Sequence, residues 1–337
     1  MKVLVTGAGG FLGRRIVDSL LRMGVQHVCV HVRQAPPKGM VEALREQYPG
    51  AQIEVAQANL LSKGTLPALV QGADVVVHAA AGMKGAAADM FANTVLATRN
   101  LLDAVGEAGV RRVVLISSFA VYKASVLKAG QVLDERVPLE ETGVARGSYG
   151  YAKTRQEQMF NEYQRRYGFE SVVLRPGVIY GPGGGALSSR VGIRAMGLFV
   201  SLGGKALLPL TYVDNCADAV ASAVLHAPAG SAFSVVDDDL PTCAQYLKRY
   251  RQEVEPLRCL PVPYWAFHWG STLLGRYHRK SKGQLPAVFT PYVVESMYRP
   301  IRYSNAALQA IGWKQRVSTR EGLERAFAAF KAALRSA

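Results

Sequence analysis

"KVLVTGAGGFLG", residues 2–13, carries the reading on which the fold turns. Lys2–Val5 is a short apolar run of the kind that forms a strand covered on both faces. Glycines follow at 7, 10 and 13, and helical periodicity begins at Phe11. The three glycines supply, in turn, a tight bend, close backbone approach and contact between helix and strand. A helix starting there points unpaired N–H groups and the positive end of its dipole at the turn, which makes a pyrophosphate cradle. The stretch predicts a dinucleotide held around Gly7, Gly10, Phe11, Leu12 and Gly13.

Outward from this loop, short Val/Ile/Leu-rich runs alternate with helical stretches. Strands are predicted at Lys2–Val5, His27–Val32, Ile53–Ala56, Val75–His78, Val113–Ser117 and Val172–Leu174, with helices at Phe11–Arg22, Met90–Glu107 and Gly150–Tyr167. Near-continuous apolar strands separated by helices predict an α/β fold: a doubly wound parallel sheet, the Rossmann fold, covered on both faces. The pattern loosens after Tyr180. Residues 1–180 read as the nucleotide-binding domain and 181–337 as a smaller C-terminal lobe, with about 205–236 returning to the first domain. A last helix is predicted from Thr319 to Leu334, capped by Ser318 or Thr319.

Composition narrows the class. Of 337 residues, 49% are hydrophobic and 19% charged, ordinary for a globular protein. Four scattered cysteines without a C-x-x-C pair predict buried thiols and no metal site. The glycines come too early for a signal peptide, and no apolar run reaches spanning length, so a cytoplasmic protein is expected. Residues 241–337 carry 16 Lys/Arg against 5 Asp/Glu. The excess is diffuse and lacks a binding motif, so no nucleic-acid partner is expected; a solvated face, an anionic lipid surface or an acidic substrate remain as readings.

"SYGYAK", residues 148–153, offers chemistry. On a helix, residues four apart share a face, so Tyr149 meets Lys153 and Tyr151 does not. A tyrosine with a pKa near 10 is a poor acid/base at neutrality. An ammonium about 4 Å away favours phenolate by up to about 4 kcal/mol at an effective dielectric of 20, so Lys153 is expected to lower the Tyr149 pKa by up to about 3 units.

Together these stretches resemble the extended short-chain dehydrogenase/reductase family, with its T-G-x-x-G-x-x-G and Y-x-x-x-K signatures. The resemblance continues in "DVVVHAAA" (74–81), "NTVLATRNLLDA" (93–104), "ISSFAVY" (116–122) and "RPGVIYGP" (175–182), in order over about residues 1–220. It implies that Ala79 and Ala80 border the nicotinamide ribose, that Asn93 steadies the central strand, and that Pro176 and Val178 close the cofactor site. It implies Tyr149 as acid/base, Ser118 (rather than Ser117) as partner to the reacting oxygen, and Lys153 as holder of the ribose. Near the adenine it places Asn59 and Leu60. The second strand ends in "HVRQAPPK" with Arg33 and no acidic residue, which favours NADP over NAD, with NAD still open.

For the substrate, Val178 stands where nucleotide-sugar enzymes of the family carry Asn, and "PLTYVDN" (209–215) lacks their Arg-Asp pair. "RPGVIYGPG" and "YVDNCADAV" resemble instead the 3β-hydroxysteroid and sterol-carboxylate dehydrogenase branch. The segment "PVPYWAFHWGSTLLGRYHRKSK" (261–282) reads as an apolar cover over a pocket, or as a patch lying on a membrane. The expectation is an oxidoreductase for a hydrophobic hydroxy or keto compound, steroid-like, β-ketoacid or aryl ketone, with an acidic group on it as an option. The alternatives are a nucleotide-sugar epimerase/dehydratase and a non-catalytic NADP-binding regulator. The resemblance also implies a homodimer.

Overall fold

The computed structural model describes residues 1–83, 85–195, 197–280 and 290–336. Seven parallel strands form the main sheet: β1 (Lys2–Thr6), β2 (His27–Val32), β3 (Gln52–Gln57), β4 (Val75–His78), β5 (Arg112–Ile116), β6 (Glu170–Pro176) and β7 (Ser231–Val235). Their spatial order is β7-β6-β5-β4-β1-β2-β3. The chain therefore winds one way from β1 to β3 and the other from β4 to β7, leaving a crevice where the direction reverses at the carboxyl ends of β1 and β4. The doubly wound parallel sheet expected from the sequence is the observed one.

Alternation along the strands builds a core on each face. Val3, Val5, Val28, Val30 and Val77 pack with Ile16, Leu20, Val220 and Trp313 on one side. Leu4, Cys29, Val76, Val113 and Leu115 pack with Leu101, Leu102 and Phe160 on the other. The helix Gly13–Arg22 lies against Val213–His226, and the buried Asp218 joins them: its carboxylate accepts from Ser19 Oγ at 2.6 Å and also pairs with Arg22 and with Arg316.

Beyond β6 a second core forms around Tyr180, Phe199, Leu210, Tyr212, Tyr246, Tyr250 and Phe327. Its frame is the hairpin Gly192–Ala195/Leu198–Ser201, the helix Cys243–Glu253 and the helix Thr319–Arg335. Thr242 and Gln245 cap the first of these helices reciprocally, and Ser318 Oγ accepts from Glu321 N at the start of the second. Trp313 is buried, with its Nε1 donating to Asn215 O. Arg302–Tyr303 pairs in parallel with Val132–Leu133, tying this lobe to the loop after β5. All four cysteines are free thiols, three of them buried. No helix among the described residues is long and apolar enough to cross a membrane.

Candidate active site

The glycine loop has the shape its spacing demands. Gly7 adopts φ +68°, and a Cβ there would stand 2.9 Å from Ala80 Cα. A Cβ on Gly13 would stand 2.1 Å from Gly7 O, so any side chain would push the helix off the turn. Gly10 N donates to Gly7 O, and no side chain caps the helix that follows. Arg14, in the first turn of that helix, has a buried Nε without a partner. Uncapped N–H groups, an orphaned guanidinium nitrogen and glycines that let a ligand approach together fit a dinucleotide pyrophosphate. Phe11 lies across from Gly184, where a Cβ would meet its ring, and Leu12 packs into the cores of both lobes.

Toward the adenine end, Arg33 is exposed and donates from Nη1 to Asn93 Oδ1 at 3.3 Å, a contact the sequence did not announce. Asn93 in turn donates to Asp89 O from a π-helical turn, Ala92–Leu96. Beside β4 it is Thr94 and Thr98 that make the polar contacts, to Gly82 N and to His78. Asn59 Oδ1 accepts from Leu61 N, while Leu60 is buried and its carbonyl accepts from Asn100.

Ser117 and Ser118 follow β5 and part company there. Ser117 Oγ donates to Glu157, inside the protein. Ser118 caps the turn Phe119–Val121, accepting from Ala120 N, and its hydroxyl is hydrogen-bonded with Tyr149. The helix Gly147–Tyr167 carries Tyr149 and Lys153 together, while Tyr151 stacks on Phe91. Burial raises the Tyr149 pKa, and the Ser118 bond opposes it. The expected lowering by Lys153 is not seen. The lysine is buried, its pKa brought down to about 8 by that burial against the pull of Glu157, and its Nζ donates to Ile116 O and Gln156 Oε1, both at 2.8 Å.

Two buried networks hold this lysine helix. In the first, Lys153 has donors only, so Gln156 must turn Oε1 toward it and Nε2 toward Thr98 Oγ1, 2.8 Å away. The Thr98 hydroxyl donates to Thr94 O, so Thr98 also accepts from His78 Nε2 at 2.7 Å. This assigns the proton of neutral His78 to Nε2 and leaves Nδ1 to accept from Thr6 Oγ1 at 2.7 Å. Thr6 accepts in turn from Ala80 N, beside the glycine loop. In the second network, Arg175 pairs with Glu157, donates to Tyr122 Oη at 3.1 Å and lies over the Tyr122 ring; Tyr122 also bonds Ser234. Tyr122 and Tyr180 are core residues, each buried and hydrogen-bonded.

A second polar group gathers around Arg146. Arg146 has a buried Nη1 without a partner, and Arg190 lies close enough to depress its pKa to about 10, second to the effect of burial. Arg190 donates to Met297 O at 3.0 Å and bonds Tyr303, and Glu140 is held by Tyr292. Sequence reading missed this group because its members come from separate segments of the chain. Val178 N donates to Pro209 O within a small sheet, and Pro176 ends β6.

The profile of the NAD dependent epimerase/dehydratase family matches residues 3–235. The chain belongs to this family. Membership in the 3β-hydroxysteroid branch does not follow from that match. Among curated relatives, an uncharacterized UDP-glucose epimerase, YtcB of Bacillus subtilis, is 30% identical over 192 residues, 54% of this chain and 58% of that protein. A 2-alkyl-3-oxoalkanoate reductase of Shewanella oneidensis is 25% identical over 95% of this chain and 84% of its own. Among solved structures, MoeE5 in complex with UDP-glucuronic acid and NAD has a TM-score of 0.70 at 21% identity, covering 99% of this chain and 100% of that one. A UDP-glucuronic acid 4-epimerase of Bacillus cereus with NAD has a TM-score of 0.70 at 19% identity, covering 99% of each chain.

The hydrophobic-substrate expectation is overturned. Ligand-bound structures that match the whole chain include MoeE5 with UDP-glucuronic acid and a dTDP-glucose 4,6-dehydratase, DesIV of Streptomyces venezuelae, with NAD. The physical reason is visible in the supposed apolar cover: Trp265 and Trp269 are 73% and 65% exposed, so they do not form a buried apolar lining. The basic end of that segment, residues 281 and 282, lies outside the described residues.

Proposed function

We propose that the chain is an NAD-dependent oxidoreductase acting on a nucleotide sugar, as an epimerase or dehydratase, with Tyr149 as its acid/base. The observation that carries the chemistry is the Ser118–Tyr149 hydrogen bond beside the glycine-loop crevice, above a buried lysine. When bound, the nicotinamide supplies the acceptor and donor for hydride. Tyr149 takes the proton of a sugar hydroxyl as the carbon beneath loses hydride, and returns it when hydride comes back. Ser118 orients that oxygen and shares the charge developing on Tyr149. Lys153, one helical turn on, is held by Ile116 O and Gln156 Oε1.

The substrate class draws support from the UDP-sugar relatives and from the nucleotide-sugar enzymes among the matching structures. Val178 and the missing Arg-Asp pair mean that other donors must hold the diphosphate. For the cofactor we propose NAD, with NADP accepted as well, because no carboxylate follows β2 and the exposed Arg33 has donors beyond its one bond to Asn93. Arg33→Ala then weakens NADP binding about tenfold and leaves NAD within about twofold, one charge-assisted contact being lost.

The test is to incubate the purified protein with NAD and a panel of UDP- and dTDP-sugars and follow the sugar by proton NMR. Tyr149→Phe serves as the blank. Tyr149-dependent inversion or dehydration supports the reading. Bound cofactor with no change in any sugar would overturn it.

A further inference from the structure

The helix Tyr264–Lys280 presents two unlike faces. One is fixed to the protein: Phe267 meets the Tyr298 ring edge-on at 5.2 Å, Ser271 is buried, and His268 donates to Glu295 on the helix Pro291–Tyr298. The other face is bare. Successive helical residues step by about 100°, which puts Trp265, Trp269, Leu273 and Arg276 within an arc of about 80°. All four are exposed, as is Leu260 on the short strand Cys259–Pro261 that leads into the helix.

Single apolar side chains on a surface are ordinary, but two tryptophans and a leucine in one stripe mark a contact surface. Charge says what it would contact. The sequence holds no Asp or Glu between Glu255 and Glu295, and Glu295 is engaged by His268 and Arg299. Arg258 and Arg276 are exposed. A surface of indole, leucine and guanidinium without carboxylates complements a partner that is negative at its surface and apolar beneath. A bilayer with anionic headgroups has that layering. An indole sits at headgroup level with its ring toward the acyl chains and its N–H toward water, while basic side chains meet the lipid phosphates. The 17-residue helix is about 25 Å long and would lie along such a surface, since no described helix is long and apolar enough to cross it.

We infer that the helix Tyr264–Lys280 docks the protein on an anionic lipid surface, with Trp265, Trp269 and Leu273 among the headgroups and Arg276 against their phosphates. The contact is shallow: an amphipathic helix of this kind sinks its apolar face about 5–10 Å into the boundary between headgroups and acyl chains. Three apolar side chains bind weakly alone, so attraction to negative lipid carries part of the affinity. Binding is therefore reversible and weakens as salt screens the arginine.

The experiment is sedimentation of the full chain with vesicles of phosphatidylcholine alone and of phosphatidylcholine mixed with phosphatidylglycerol. It compares the wild type with Trp265→Ser/Trp269→Ser and with Arg276→Gln. The wild type is expected to bind the mixed vesicles at least about tenfold more tightly than the neutral ones, and less tightly as salt is raised. The double substitution should weaken binding at least about tenfold, and Arg276→Gln about fivefold, the weight of one basic residue at an anionic surface. The chain has three tryptophans, and the third, Trp313, is buried. Brominated lipid should therefore quench the emission of the wild type and leave that of the double variant unchanged. The altered positions face solvent, so both variants should keep the wild-type melting temperature; the quenching of the wild type carries the test if they do not. Absence of wild-type binding to the mixed vesicles would overturn the inference. So would binding that survives the double substitution without quenching, since diffuse basic charge would then be responsible. A wild-type dimer that the double substitution abolishes would overturn it too, the stripe being then covered by a second copy.

Discussion

Gln156 Oε1 stands 2.8 Å from Lys153 Nζ and is one of two acceptors that keep a buried ammonium satisfied. Gln156→Leu removes it and should lower the Lys153 pKa further below about 8. The alkaline limb of the kcat/KM profile is expected to move to lower pH by about one unit, with about 1–3 kcal/mol of stability lost from the unsatisfied site. Gln156→Glu should move the same limb upward, because a carboxylate favours the ammonium. Profiles that move together, or not at all, would leave Gln156 a packing residue.

Tyr149→Phe keeps the ring and deletes the proton. Turnover should fall by about 10²–10⁴, the usual weight of a general acid/base. NAD affinity, measured by titration calorimetry, should stay within about twofold.

Glu157 pairs with Arg175, accepts from Ser117 and supports the charge on Lys153. Glu157→Gln leaves a buried guanidinium uncompensated, a loss of about 3–5 kcal/mol in urea denaturation. It should also move the Lys153 limb to lower pH, in the same direction as Gln156→Leu.

Burial brings the His78 pKa down from 6.5 to about 3. Between those values the unfolded chain binds the extra proton, so stability from neutral His78 is full above about pH 6.5 and is lost as pH falls toward 3. At about 1.4 kcal/mol per unit this is at most about 5 kcal/mol. Asp237, raised from 3.8 to about 6 by burial, works in the opposite sense: its contribution is present below about pH 4 and lost as pH rises through 6, at most about 3 kcal/mol. Between pH 6 and 4 the two slopes therefore nearly cancel, and His78→Asn should leave the Asp237 contribution alone, so that stability rises as pH falls across that window.

Gly13→Ala places a methyl 2.1 Å from a backbone oxygen that has nowhere to go. Cofactor affinity should drop at least tenfold, read as loss of the thermal stabilisation NAD confers.

Where chemistry depends on neighbours in sequence, residue types alone made it readable. The glycine turn and the divergence of Ser117 from Ser118 follow from local periodicity. The strands His27–Val32 and Val75–His78 are valine-rich, and their bounds coincide with those read from the chain. The helix read as Met90–Glu107 begins at Ala87 and contains a π-helical turn, which periodicity over so short a span does not disclose. The Arg146–Arg190 group was illegible because residues 140, 190, 292 and 303 meet only after the second lobe closes. The tryptophans at 265 and 269 misled, since large aromatics suggest burial and these face out. The pKa argument for Tyr149 assumed that Lys153 faces the phenol; its ammonium is drawn to Ile116 and Gln156 instead.

The row Lys153–Gln156–Thr98–His78–Thr6 looks like a wire between the glycine loop and the active lysine. Its polarity says otherwise. Donors run inward from both ends and converge on Thr98, whose own hydrogen points away to Thr94. Relay by successive hops needs every member to hand a proton to the next, and a row with a sink at its centre has no such direction. His78, neutral across the working pH range, does not supply a charged station along the way. The row is an insulator: it fixes the lysine in place and carries no protons between the glycine loop and the lysine.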